Sequence, residues 1–73
     1  MTNLKNLRQS KGITQKELSE YADVNIRTLQ DYEQGKKPIN AASALTVFRL
    51  SKALNCEVRD ILELDAEQDI SND

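Results

Sequence analysis

Residues 14–35 read TQKELSEYADVNIRTLQDYEQG, and this stretch decides the fold. Thr14 and Glu17 have the spacing of a capping box, in which the threonine hydroxyl caps the N3 amide and the glutamate reaches back to the N-cap. Leu18 and Ala22 are four residues apart and face one side of a helix. The pattern therefore predicts a helix from about Thr14 to Ala22.

A second helix follows almost at once. Asn25 is a good N-cap residue and predicts a helix over 26–34, which Gly35 ends. About three residues around Asp23 and Val24 separate the two helices, too few for a reversal of direction. The two helices must therefore cross steeply, as in a helix-turn-helix.

The flanking segments predict further helices. A first helix is expected from about Asn3 to Lys11, where Gly12 stops it by adopting a positive φ. A fourth helix is expected to be capped by Asn40 and to run to about Leu54. Its apolar stripe consists of Val47, Leu50, Ser51 and Leu54, and Asn55 is expected to end it.

A short fifth helix is predicted over 58–62, with Val58, Ile61 and Leu62 facing inward. The fold class is thus all-α, a five-helix bundle in which helices 2 and 3 form the helix-turn-helix. One domain covers residues 1–64. Residues 65–73 form an acidic tail whose apolar content is too low for firm docking, and a flexible segment is expected there.

The net charge of −2 appears unfavourable for a nucleic-acid partner. The charge is unevenly distributed, however. Residues 1–62 hold ten basic and seven acidic residues, a net charge of +3, whereas residues 63–73 hold five acidic residues and no basic one. The body of the domain is mildly basic, which is compatible with DNA binding.

The composition excludes several classes of protein. The chain has no histidine and a single cysteine, Cys56, so we expect no metal site, no cofactor and no enzymatic activity. No apolar run approaches ~18 residues, so no membrane span is expected. A cytoplasmic protein is the resulting expectation.

Three segments resemble the Cro and phage-repressor type of helix-turn-helix, also called xenobiotic-response-element-like, which has the lambda repressor-like fold. They are GITQKEL over 12–18, IRTLQDYEQG over 26–35 and LSKALN over 50–55. The resemblance extends over about residues 4–62. It implies a sequence-specific regulator of transcription, in particular a repressor, that binds double-stranded DNA and reads the major groove with helix 3.

The resemblance also assigns residues to the DNA interface. Gln15 matches a phosphate-binding position at the start of helix 2, where free amides attract anions. Base-facing positions of helix 3 are matched by Ile26, Arg27 and Asp31, flanked by Asn25, Thr28 and Gln30. The following loop, which meets the DNA backbone, is matched by Gln34, Lys36 and Lys37. The alternative for the lysines is an ordinary solvated loop.

Three residues depart from the family pattern. Asp23 stands where the turn often has glycine, but aspartate tolerates the left-handed conformation. Ile26 replaces a glutamine that bonds adenine, and it is left with contact to a thymine methyl. Asp31 would repel phosphate, yet it lies four residues after Arg27 and is expected to hold that guanidinium over a guanine. The alternative is a plain surface ion pair.

Other residues are expected to be structural. The resemblance implies a partly buried salt bridge between Arg8 and Glu33, and Tyr21 and Tyr32 are expected in the core. Leu45 and Phe48 lie beside the main stripe of helix 4 and either complete the core or form a partner surface.

Relatives often dimerise through the region matching residues 55–64, so a homodimer on DNA is expected, with Val58, Leu62 and Leu64 as candidate contacts. The alternative function is a protein-interaction module on the same fold. An example is an antitoxin body that binds a partner through its acidic tail or through Leu45 and Phe48.

Overall fold

The computed structural model describes residues 2–64, and these residues form helices without any strand. The elements are α1 (Asn3–Ser10), α2 (Gln15–Ala22), α3 (Ile26–Gln34), a 3₁₀ turn (Ile39–Ala41), α4 (Ala44–Leu54) and α5 (Val58–Ile61). The predicted all-α, five-helix class is confirmed. None of these helices has the length and apolarity that crossing a membrane requires. The predicted flexible tail over 65–73 lies outside the described residues.

The capping box at the start of α2 is present in both directions. The Glu17 amide donates to the Thr14 hydroxyl at 3.0 Å, and the Thr14 amide donates to the Glu17 carboxylate at 2.9 Å. Gly12 has a φ of +71° and ends α1 as predicted. These local interactions fix the start of α2 relative to the end of α1.

The turn between α2 and α3 is set by two residues. Asp23 adopts the left-handed conformation, with φ of 55°, and ends α2. The Asn25 side chain then accepts hydrogen bonds from the amides of Arg27 and Thr28, at 2.8 and 3.4 Å. Gly35, with φ of +79°, ends α3. The predicted helix-turn-helix is therefore confirmed, including aspartate in place of glycine at the turn.

The start of α4 differs from the prediction. Ser43, not Asn40, is the N-cap, because its hydroxyl accepts a hydrogen bond from the Thr46 amide at 3.1 Å. Asn40 lies in the 3₁₀ turn, where its amide group donates to the Glu63 carbonyl at 2.7 Å and accepts from the Glu63 amide at 2.8 Å. Both residues are good cap formers, but the Asn40 side chain is engaged elsewhere, because its nitrogen and its oxygen bind the two backbone groups of Glu63.

The core is a single apolar cluster to which α1 to α5 and the 3₁₀ turn all contribute. Its buried members are Leu4, Leu18, Ala22, Leu29, Ile39, Val47, Leu50, Leu54 and Ile61. The predicted stripe of α4 is confirmed, since Ser51 is also buried. α2 packs against α3 and α4, and α1 packs against α3 and α5.

Two apolar residues predicted to be inside are not buried. Tyr21 is 64% exposed, because the i,i+4 pair Leu18 and Ala22 already forms the inner face of α2. Val58, the first residue of the short α5, is 38% exposed, while Ile61 occupies the core. Tyr32, by contrast, packs against the core as expected.

The core assignment can be tested by one substitution made at two positions of α4. Leu50→Ala should lower the free energy of unfolding by about 2–5 kcal/mol, because Leu50 is fully buried. The matched control Leu45→Ala, at an exposed position of the same helix, should change it by about 0.5 kcal/mol or less. Urea unfolding followed by circular dichroism measures both. Equal losses would contradict the assignment of the core face.

Candidate nucleic-acid interface

α3 has one buried side and one exposed side. Leu29 and Glu33 are buried, and Tyr32 is half-buried beside them. Ile26, Arg27 and Gln34 are exposed, whereas Thr28, Gln30 and Asp31 are half-buried. The predicted base-facing positions thus lie on or next to the side that α3 presents to solvent.

Asp31 does not pair with Arg27 as predicted. Its carboxylate lies 4.0 Å from the Lys37 ammonium, and this contact and the Arg8–Glu33 pair are the ion pairs found within residues 2–64. The left-handed Gly35 turns the chain back, so that the amides of Lys36 and Lys37 both donate to the Asp31 carbonyl. This turn brings the Lys37 side chain within reach of Asp31 and leaves the guanidinium of Arg27 unpaired within the described part of the chain.

Cationic side chains lie at both ends of α3. Arg27 is the second residue of the helix, and Lys36 and Lys37 follow its last turn. All three are exposed, and the weak contact to Asp31 leaves the Lys37 side chain 55% exposed. The exposed side of α3 is therefore flanked by positive charge, the sign that attracts DNA phosphates.

The predicted salt bridge between Arg8 and Glu33 is confirmed. Arg8 Nε and Nη2 donate to the two Glu33 oxygens at 2.7 and 3.1 Å, and Nη1 donates to the Ile13 carbonyl at 2.9 Å. The two side chains are only 11% and 1% exposed. The bidentate pair ties α1 and the following loop to the last turn of α3.

Glu33 also holds Gln15, a contact that sequence reasoning missed. Gln15 Nε2 donates to Glu33 Oε1 at 3.0 Å, and Gln30 Nε2 donates to Gln15 Oε1 at 3.3 Å. The only signal in the sequence was that an arginine fork does not use all the lone pairs of a buried carboxylate. The predicted phosphate contact of Gln15 therefore has to come from its backbone N–H, which no described residue binds, or from its remaining side-chain N–H.

A second candidate surface is apolar. Leu45 and Phe48 are 55% and 52% exposed, so they do not complete the core. Phe48 borders a groove of about 450 Å³ between α4 and α5, here called the α4–α5 groove, which is lined by Asn40, Ala42, Ala44, Val47, Phe48, Val58 and Leu62. Lys52 lies over the Phe48 ring, with its ammonium 5.9 Å from the centroid.

No group of side chains suited to binding a metal ion occurs within residues 2–64. Burial raises the pKa of the Cys56 thiol, and the nearby carboxylate of Asp60 raises it further. The thiolate, which is the reactive form, is therefore disfavoured at neutral pH.

The chain is similar to a known protein family. The family model described as helix-turn-helix matches residues 4–61. The match begins at the first buried leucine and ends at the last buried isoleucine of the core. No curated protein matches the chain.

The buried pair gives a stability test. Glu33→Ala should lower the free energy of unfolding by about 1–3 kcal/mol, because it leaves the buried Arg8 guanidinium with only the Ile13 carbonyl as a partner. The matched control Asp31→Ala removes the 4.0 Å contact to the exposed Lys37 ammonium and should cost about 0–1 kcal/mol. Thermal and urea unfolding measure both changes. An unchanged melting temperature for Glu33→Ala would show that the pair does not stabilise the fold.

Proposed function

The chain belongs to the Cro and phage-repressor type of helix-turn-helix family, whose domains bind DNA, and we propose that it is a sequence-specific repressor of transcription. In this proposal α3 enters the major groove of double-stranded DNA, and α2 lies across the backbone. The observation that carries the proposal is the exposed side of α3, with the unpaired Arg27 near its start and two lysines after its end.

The proposed interface has a base-reading part and a phosphate-binding part. The base-reading part consists of the exposed and half-buried residues of α3 and its N-cap, namely Asn25, Ile26, Arg27, Thr28, Gln30 and Asp31. The phosphate-binding part consists of the α2 N-terminus at Gln15, the last residue of α3, Gln34, and the segment after it with Lys36 and Lys37. Contacts to the DNA phosphates set the register of the protein on DNA, while contacts to the bases determine the sequence preference.

Arg27 is the proposed principal reader. Its exposed guanidinium makes no ion pair with a described residue, so binding DNA breaks none. An arginine fork matches the O6 and N7 acceptors of guanine in the major groove. Ile26, exposed beside it, is suited to contact with a thymine methyl.

We further propose that two copies of the chain bind a two-fold operator. A single small module buries little surface on DNA, and pairing doubles the contact. The α4–α5 groove is the surface proposed to pair, because Phe48 and Val58 on its borders are exposed and Leu62 continues it. An exposed apolar groove of this kind is typical of protein–protein contact.

The same exposed leucine and phenylalanine of α4 favour a second candidate function. In it the domain is a protein-interaction module, such as an antitoxin body, that binds its partner through Leu45 and Phe48 or through its acidic tail. Binding to random duplex DNA discriminates between the two functions. A DNA-binding domain loses affinity steeply as salt rises, because phosphate neutralisation releases counterions.

Arg27→Ala should weaken binding to the cognate operator by about 1–3 kcal/mol and relax the preference at one base pair in each half-site. Lys36→Ala should instead weaken binding to all sequences alike and reduce the salt dependence of the affinity, because a phosphate contact carries no base information. Titration of both variants against selected and scrambled duplexes at two salt concentrations measures the difference. Equal losses of selected and scrambled affinity for Arg27→Ala would make this residue a phosphate anchor instead of a reader.

Phe48→Ser should raise the dissociation constant of the dimer by about ten-fold or more, because it removes the largest apolar side chain at the groove. Tyr21→Ser is the matched control, since Tyr21 is an exposed aromatic residue outside the groove. Sedimentation equilibrium with and without operator DNA measures self-association. A dimer that Phe48→Ser leaves unchanged would exclude the α4–α5 groove as the pairing surface.

A further inference from the structure

A chain of hydrogen bonds runs from the buried ion pair to the side of α3 proposed to face DNA. It passes from Arg8 to Glu33, then to Gln15 and finally to Gln30. Each step is a direct side-chain contact of 3.3 Å or less. These hydrogen bonds link α1, α2 and α3, and they end on Gln30, a half-buried residue of α3.

The chemistry of the groups determines which atom donates and which accepts in each of these hydrogen bonds. An ionised carboxylate only accepts hydrogen bonds, so the atom of Gln15 that contacts Glu33 must be its nitrogen. The oxygen of Gln15 then points toward Gln30, and the atom of Gln30 in contact with it must again be the nitrogen. Reversing the amide of Gln30 would place two acceptor oxygens against each other.

The remaining hydrogen-bonding groups of Gln30 are one N–H and the carbonyl oxygen, and neither is bound by a described residue. Gln30 lies one helical turn after Ile26 and one turn before Gln34, and both of these residues are exposed. Its side chain therefore lies at the border between the side of α3 that contacts α2 and the side that faces solvent.

A donor and an acceptor side by side match one base edge in the major groove. Adenine presents the N7 acceptor beside the N6 donor, and a glutamine amide pairs with both. Guanine presents two acceptors, N7 and O6, so the oxygen of Gln30 would face the oxygen of the base. An amide held in one orientation thus discriminates between the two purines.

We propose that Gln30 reads an adenine in each half-site and that Glu33, acting through Gln15, is the positioning residue that fixes the orientation of the Gln30 amide. This inference rests on the proposed DNA-binding function and deepens it. It gives the buried carboxylate a role in sequence preference that is separate from its role in stability.

The test is selection of bound sequences from a random duplex pool, with the preference at each base pair as the readout. This preference is a ratio between sequences bound by the folded protein, so it does not depend on the fraction of a variant that folds. Gln30→Ala should lower the preference for adenine at one position of each half-site by about ten-fold or more and leave the other positions unchanged. The matched control Gln9→Ala, an exposed glutamine of α1, should leave every position unchanged.

Two variants test the positioning step. Gln15→Met keeps the length of the side chain but removes its hydrogen bonds to Glu33 and Gln30. Glu33→Gln keeps the shape of the side chain but allows the Gln15 amide to adopt either orientation. Both should lose the same adenine preference as Gln30→Ala. Gln15→Met keeps the Arg8–Glu33 pair, so it remains informative even where Glu33→Gln fails to fold.

Each other outcome overturns a defined part of the inference. An unchanged preference for Gln30→Ala, or an equal loss for all sequences, would exclude base reading by Gln30 while the DNA-binding function stands. Loss of adenine preference in Gln30→Ala alone would exclude the relay through Gln15. Failure of the unmodified protein to bind any duplex in a salt-dependent way would overturn the proposed function itself.

Discussion

The carboxylate of Glu33 is the constraint on which the rest of the structure depends. A charge that is almost completely removed from water must be surrounded by hydrogen-bond donors, because an unpaired buried charge is strongly destabilising. The donors come from two other helices, Arg8 in α1 and Gln15 in α2. One buried group at the end of α3 therefore sets the positions of the two helices before it.

The crossing of α2 and α3 is fixed from both ends. At the turn, Asp23 reverses the chain in a left-handed conformation and Asn25 caps the new helix within two residues. At the opposite ends of the two helices, Gln15 and Glu33 are joined by a hydrogen bond. Since the core contacts of Leu18 and Leu29 lie between these two fixed points, the exposed side of α3 has one orientation relative to α2.

Local sequence patterns predicted the features that depend on neighbouring residues. Of the contacts between distant residues, the Arg8–Glu33 pair was predicted, and only through the family resemblance. The capping box at Thr14 and the left-handed stops at Asp23, Gly35 and Asn55 follow from local chemistry, and the structure confirms them. The predicted N-cap of α4 was wrong. Asn40 binds Glu63 instead, and a local pattern does not reveal a bond between residues so far apart in the sequence. In the candidate site, spacing alone suggested an Arg27–Asp31 pair, whereas the loop after Gly35 brings Lys37 to Asp31. The contacts of Gln15 with Glu33 and with Gln30 were missed for the same reason, since they require the crossing of two helices.

The two candidate surfaces, the exposed side of α3 and the α4–α5 groove, lie on different helices. The side proposed to face DNA belongs to α3, whereas the α4–α5 groove is bordered by Phe48 and Val58 and lies next to hydrogen bonds made by other segments. Asn3 in α1 donates to the Leu62 carbonyl and to the Glu63 side chain, and Asn40 binds the Glu63 backbone. Because these bonds do not involve α3, we expect substitutions on the exposed side of α3 to leave the rim of the groove intact. The proposed base preference and the proposed pairing thus depend on different residues, whereas Glu33 serves both the stability of the fold and the proposed base preference.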